Sequence, residues 1–328
     1  MKGTVKQDMA VVEALSFKSA DEVTTIYGYC WKPEGKPKAV VHICHGMVEY
    51  IERYQELAEQ LCRQGYVVYG ADTLGHGKSV VNKNCFGHFG DSNGNWKLLS
   101  DMVLLQGLAK RAYPGLPYFI LGHSFGSLMV REYVERFPDS VDGMILMGTM
   151  HHSNMEAQLG KTICNIIAAT KKEGYRYRST FVNDMAIGRL DKHFRKEDLR
   201  NSWLSKDREE VALYNAKPEC NFIFTVGAYR DMMTAILEVN DRKNLERLHT
   251  GMPVLLMAGD QDPVGHFAKG PRHLYKVYKE LGLDCRIRIY KNDRHELLHE
   301  VDREKVYKDI LKWLNYYVDK DKPRMKEK

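Results

Sequence analysis

Hydrophobic and polar positions follow two rhythms along this chain. Short segments are apolar throughout and rich in β-branched and aromatic residues. Longer stretches repeat apolar residues every three to four positions. These are the signatures of buried strands and of helices. Runs over 11–17 and 24–31, divided by the charged stretch 18–22, read as an antiparallel pair. AVVHIC (39–44) reads as a buried strand, 50–63 carries helical spacing, and YVVYGA (66–71) is a second buried strand. The alternation continues with a helix over 96–112, a strand over 118–121, a helix over 125–136 and a strand over 143–147. It predicts an α/β fold, with crossover connections and a mostly parallel central sheet carrying helices on both faces.

The rhythm breaks after Met150. Residues 151–218 show helical fragments, a basic excess and no strand run bracketed by turns, so they read as an inserted helical module. It resumes with a helix near 232–248, a strand at 254–258, a helix near 271–281, a strand at 286–291 and a helix near 295–317. The expected organisation is a first core part (1–150), the helical insertion (151–218), a second core part (219–318) and a charged tail (319–328).

Composition narrows the class. With 44% apolar and 28% charged residues the chain is globular, neither disordered nor fibrous. The net charge of +6 is scattered along the sequence, so no nucleic-acid partner is expected. Seven cysteines without a CxxC pair are neither a disulfide framework nor a zinc ribbon, and read as small buried residues of a reduced interior. No run has signal-peptide length, and none approaches the roughly 20 apolar residues of a membrane helix. The expectation is a cytoplasmic protein without an integral membrane segment.

Candidate chemistry sits at the strand ends. Gly122-His123-Ser124-Phe125-Gly126 is G-x-S-x-G between a buried strand and a helix. That context makes Ser124 a nucleophile on a sharp turn, with Gly122 and Gly126 sparing the turn two Cβ clashes. A serine needs a base, and the base an orienting acid, in the chain order Ser, Asp or Glu, His. The strand at 254–258 is followed by Asp260 and Asp262, and the strand at 286–291 by His295, with His299 four residues on. Asp262 and His295 are the favoured pair, since His295 comes first after its strand. A rival reading takes His295-Glu296-Leu297-Leu298-His299 as the H-E-x-x-H zinc motif on a helix. It lacks an obvious third ligand, and neither metal nor cofactor is expected. The tetrahedral oxyanion needs two N–H donors. Phe125 supplies one, and the loop His45-Gly46-Met47 after the strand at 39–44 supplies the other from Met47, with Gly46 allowing close approach.

These motifs resemble the α/β-hydrolases of the monoacylglycerol lipase and lysophospholipase group, the serine aminopeptidase S33-like hydrolases. The matching stretches are HGMVEYIERY (45–54), DTLGHGKS (72–79), YPGLPYFILGHSFGS (113–127), GDQDPVG (259–265) and RHELLHE (294–300). The resemblance implies an α/β-hydrolase fold, a triad of Ser124, Asp262 and His295, and oxyanion donors at Met47 and Phe125. It also implies that 151–218 is a cap over the active site. WLSKD (203–207) within the insertion resembles the bacterial branch. Tyr50 and the pair Thr73-Leu74 depart from the group, where a His and an Arg are frequent. Within DTLGHGKS, His76 reads as a loop-ordering residue.

The expected function is hydrolysis of carboxylic esters of monoacylglycerol- or lysophospholipid-like lipids, or of small esters. The alternatives are an aminopeptidase or amidase on the same fold and a non-catalytic binding module. Met155, Ile163, Ile166, Ile167, Phe181, Met185, Ile187 and Leu190 are candidates for an acyl channel, and the cap is a candidate for transient contact with a membrane surface.

Overall fold

A computed structural model of the chain describes residues 10–320. Residues 1–9 and positions 321–328 of the charged tail lie outside the described residues. The chain opens with β1 (Val11–Lys18) and β2 (Thr25–Lys32), paired antiparallel, then β3 (Ala39–Cys44). A 3-10 turn over Ile51–Tyr54 leads into α1 (Gln55–Arg63), followed by β4 (Tyr66–Ala71), α2 (Gly94–Ala112) and β5 (Tyr118–His123). Next come α3 (Phe125–Arg136) and β6 (Gly143–Met147). No strand lies between β6 and β7 among the described residues. That stretch holds α4 (Asn154–Thr170), α5 (Thr180–Ala186), α6 (Arg208–Ala216), α7 (Val226–Val239) and α8 (Arg242–Leu245). The chain closes with β7 (Pro253–Gly259), α9 (Lys269–Glu280), β8 (Asp284–Tyr290) and α10 (Arg303–Lys320).

The eight strands form one sheet in the order β1-β2-β4-β3-β5-β6-β7-β8, and only β2 runs against the rest. Every residue of β3, β5 and β6 is buried, which is why their sequences are near-continuous apolar runs, broken only by His42 and His123. Their side chains alternate between two cores. Val40 and Ile120 pack with helices α2, α3, α7 and α9, while Val41 and Leu121 pack with α1 and α10. Crossovers leave β3 toward β4 on one side and reach β5 on the other. The carboxyl ends of β3 and β5 therefore flank a switch in strand order, the place where such sheets bind ligands.

Several helix boundaries differ from the sequence pattern: α1 starts at Gln55, and the helix expected near 232–248 ends at Val239 with α8 separate. The helix expected near 232–248 starts at Val226, where Thr225 caps it by accepting the Ala228 N–H at 3.2 Å. The helix expected near 295–317 starts only at Arg303, with a lone 3-10 turn over Leu297–His299 before it. The backbone leaves the helical region at Glu296 (ψ 75°) and again at Glu300 (ψ 158°). The Glu296 N–H bonds the Leu204 carbonyl at 2.7 Å and the Arg294 N–H bonds Glu300 Oε1 at 2.7 Å, so this stretch is held by the insertion and by its own acid.

Candidate active site

Ser124 follows β5 at φ 51° and ψ −118°, a left-handed conformation that a serine adopts only under constraint. The constraint is visible. The Ser124 N–H bonds the Met147 carbonyl at 2.9 Å, and its own carbonyl accepts from Ser127 Oγ at 2.6 Å. A Cβ on Gly126 would stand 2.2 Å from the Cys44 carbonyl oxygen, and one on Gly122 would stand 2.5 Å from the Gly126 oxygen. Glycine at both positions lets α3 close onto β3 and β5. The same approach brings the loop after β3 against the elbow, with a Cβ on Gly46 falling 3.2 Å from Ser124 Cβ. Phe125 opens α3, so its N–H has no carbonyl one turn back to bond. Gly46 and the half-buried Met47 line the same cavity as Ser124.

Asp262 and His295 meet over the ends of β7 and β8. His295 Nδ1 lies 3.0 Å from Asp262 Oδ2, and Asp262 Oδ1 accepts the Val264 N–H at 2.8 Å. Both side chains are buried. Asp260 is turned elsewhere, accepting from the Asn292 N–H at 2.8 Å and from Gln261 Nε2 at 3.0 Å. His299 does not share a site with His295: its Nε2 lies 3.3 Å from the Arg53 carbonyl. Burial, aided by Arg53, lowers the His299 pKa to about 4. The two histidines do not share an α-helix, His295 lying in the loop and His299 ending the 3-10 turn, so the spacing behind the zinc reading does not put them on one face. His76 is fully buried among Phe89, Phe222 and Phe224, inside the loop it orders. Cys44 is core, with burial pushing its thiol pKa up, and Leu74 is core as well. Tyr50 is half-buried, and the Thr73 N–H bonds His45 Nε2 at 2.8 Å.

An ionic cluster missed in the sequence underlies the site. Glu49 Oε1 accepts from the Gly46 N–H, from Tyr54 Oη at 2.9 Å and lies 3.0 Å from His123 Nδ1. Arg53 donates to Glu49 Oε2 at 2.9 Å and to both oxygens of Glu296 at 2.6 Å. Burial alone would raise the Glu49 pKa. His123 and Arg53 outweigh it and hold the carboxyl well below the usual carboxylate range. Burial likewise opposes protonation of His123, yet Glu49 raises its pKa on balance. Glu49 and Arg53 stand at i and i+4 in HGMVEYIERY, a faint signal. Glu296 is 243 residues away from Arg53 and gave none.

The cavity above these groups measures about 1160 Å³. Ser124, His123 and His295 lie along it, and Leu159, Val182, Met185, Ile187, Met232 and Met233 give it an apolar wall. Of the acyl-channel candidates, Met185, Ile187 and Leu190 line it. Ile163 and Ile167 pack into the core instead, and Met155, Ile166 and Phe181 face outward, 80%, 60% and 59% exposed.

A strained G-x-S-x-G turn after a central parallel strand, with an Asp–His pair returning at later strand ends, is the pattern of an α/β-hydrolase. The chain belongs to the family described as serine aminopeptidase, S33, which matches residues 35–302. It is similar to a monoglyceride lipase homolog of monkeypox virus, 29% identical over 88% of this chain and 94% of that protein. It is also similar to a monoacylglycerol lipase of Mycolicibacterium smegmatis, 26% identical over 91% of this chain and 95% of that protein. The crystal structure of a thermostable carboxyl esterase from Bacillus coagulans in complex with glycerol superposes with a TM-score of 0.87, at 26% identity, covering 94% of this chain and 99% of that one.

Proposed function

We propose that this chain is a carboxylic-ester hydrolase acting on monoacylglycerol- or lysophospholipid-like esters, with Ser124, His295 and Asp262 as its triad. The observation that carries the reading is the 3.0 Å Asp262–His295 contact beside an apolar cavity that Ser124 also lines. The similarity to monoglyceride lipases and to a carboxyl esterase supports it. Ser124 Oγ attacks the ester carbonyl as His295 takes its proton, and Asp262 holds the imidazole and stabilises its positive form. The Met47 and Phe125 N–H groups receive the oxyanion. His295 protonates the departing alcohol, and water then cleaves the acyl-enzyme with the same base. Residues 151–218 form the cap that selects the acyl chain.

The peptidase alternative needs a free carboxylate to hold a substrate ammonium. The four carboxylates along the cavity are already engaged. Glu156 holds Ser153, Asp191 accepts from the Asn201 and Trp203 N–H groups, and Glu49 and Glu296 hold Arg53. Exposed Met155, Leu159, Ile166 and Phe181, on the same stretch of chain as Lys161, Lys171 and Lys172, support transient contact of the cap with a membrane surface. No described helix is long and apolar enough to cross a membrane.

The test is hydrolysis of p-nitrophenyl esters from acetate to palmitate, with Ser124→Ala as control. Ser124-dependent turnover rising toward chains of about eight carbons or more is the expected result. Activity on acetate and butyrate alone would restrict the substrates to small esters. Turnover that survives Ser124→Ala would overturn the mechanism.

A further inference from the structure

Two rings stand against the His295 imidazole. Trp203 of the insertion stands 5.0 Å away by ring centroid at an interplanar angle of 44°, and His123 stands 4.9 Å away at 46°. The Asp262 bond fixes one edge of the imidazole but leaves a swing about that bond. The two rings remove it.

Trp203 sits on a strap, residues 202–207, that is tied to the loop carrying the base. The His295 N–H reaches the Trp203 carbonyl at 3.4 Å and the Glu296 N–H the Leu204 carbonyl at 2.7 Å. Arg294 donates to the Ser202 carbonyl at 2.6 Å and to the Ser205 carbonyl at 3.1 Å, and Lys206 pairs with Asp293. The Trp203 N–H is itself held by Asp191 Oδ1 at 3.1 Å. Indole and imidazole are thus placed by one set of backbone bonds.

We propose that Trp203 is a positioning residue for His295: its indole fixes the plane of the imidazole and favours the positive charge the ring gains during turnover. The groups facing His295 are Asp262 from the loop after β7, His123 from the end of β5 with Glu49 behind it, and Glu296 with Arg53 beside it. His123, when protonated by its contact with Glu49, repels a positive charge on His295. The indole is the uncharged face, and a tryptophan face attracts a cation more strongly than any other ring. The proposal rests on the esterase reading for His295 as base.

The experiment compares Trp203→Leu and Trp203→Phe with the wild type. It follows p-nitrophenyl acetate turnover and the rate at which a fluorophosphonate labels Ser124, both from pH 5 to 9. Without the indole the base loses its proton more easily, so the acid limb moves to lower pH. For Trp203→Leu the limb is expected about 0.5–1 pH unit lower, with kcat/KM down roughly 10–100-fold. Trp203→Phe is expected to recover most of the rate and to shift the limb in the same direction by less. An unmoved limb in either variant overturns the proposal, and the Phe variant decides alone if the Leu variant does not fold. A change confined to KM for long-chain esters also overturns it, leaving Trp203 a wall of the cavity. If the wild type labels at Ser124 but cleaves no ester, the substrate reading falls while the labelling profiles still decide the role of Trp203. A wild type that does neither overturns both.

Discussion

At the residue scale, the elbow is defined by what cannot fit. A methyl group on Gly126 would collide with the carbonyl oxygens of Cys44 and His45, which are backbone and cannot step aside. Gly126→Ala is therefore expected to lower stability by about 2–3 kcal/mol, measured by urea denaturation, and to depress esterase activity by displacing Phe125. Ser124→Ala should lower kcat on the order of 10⁴–10⁶-fold, and Asp262→Asn about 10⁴-fold while leaving the fold intact. Circular dichroism beside the ester assay separates these outcomes. The elbow was legible because glycine and serine at fixed offsets are a local requirement. Asp262 and His295 were legible because each follows its own strand. Glu49 was not: Gly46, Arg53 and Tyr54 lie within five residues of it, but His123 is 74 residues away, and only folding shows that one carboxylate serves all four.

At the scale of elements, buried charges join segments that the sheet alone would not fix. Arg53, beside α1, ties Glu49 to Glu296 with all three side chains at most 8% exposed. Arg53→Met strands two buried carboxylates and should cost about 3–5 kcal/mol, read from the urea midpoint at pH 7. Asp101 on α2 accepts from Ser19 Oγ at 2.8 Å and the Ala20 N–H at 2.7 Å, fastening the β1–β2 turn to the helix. Burial raises its pKa from 3.8 to about 6. Between those values the folded chain holds a proton that the unfolded chain releases. Its contribution is therefore full below pH 3.8 and lost as the pH rises through about 6. Asp101→Asn keeps an acceptor and removes the titration. The variant is expected to show no such loss between pH 4 and 6, and an unchanged pH slope would refute the assignment. Helix centres were legible from apolar spacing, as with Phe125–Arg136. The start of α10 was not, because the loop around His295 is held in non-helical conformation while its N–H groups bond a strap about ninety residues earlier.

At the scale of the molecule, the helical stretch after β6 turns an apolar wall inward and leaves apolar side chains outward. Replacing Met155, Ile166 and Phe181 together with serine should reduce turnover of monoacylglycerol presented in anionic vesicles several-fold while sparing p-nitrophenyl acetate in solution. Equal rates on both substrates would remove the membrane from the account. The alternation of strand and helix made the sheet legible from end to end. Strand order and the outward face of the insertion depend on contacts between distant segments and were not.

The place of the insertion bears on the birth of the chain. β6 pairs with β5 on one side and β7 on the other, yet roughly a hundred residues separate Met147 from Pro253. At translation speeds of about 5–20 residues per second, β6 leaves the ribosome some 5–20 s before its second neighbour exists. For that interval a fully apolar strand, Gly143–Met147, offers a bare edge to other nascent chains. Yield should therefore respond to chaperone supply and growth temperature more than the stability of the finished enzyme would suggest.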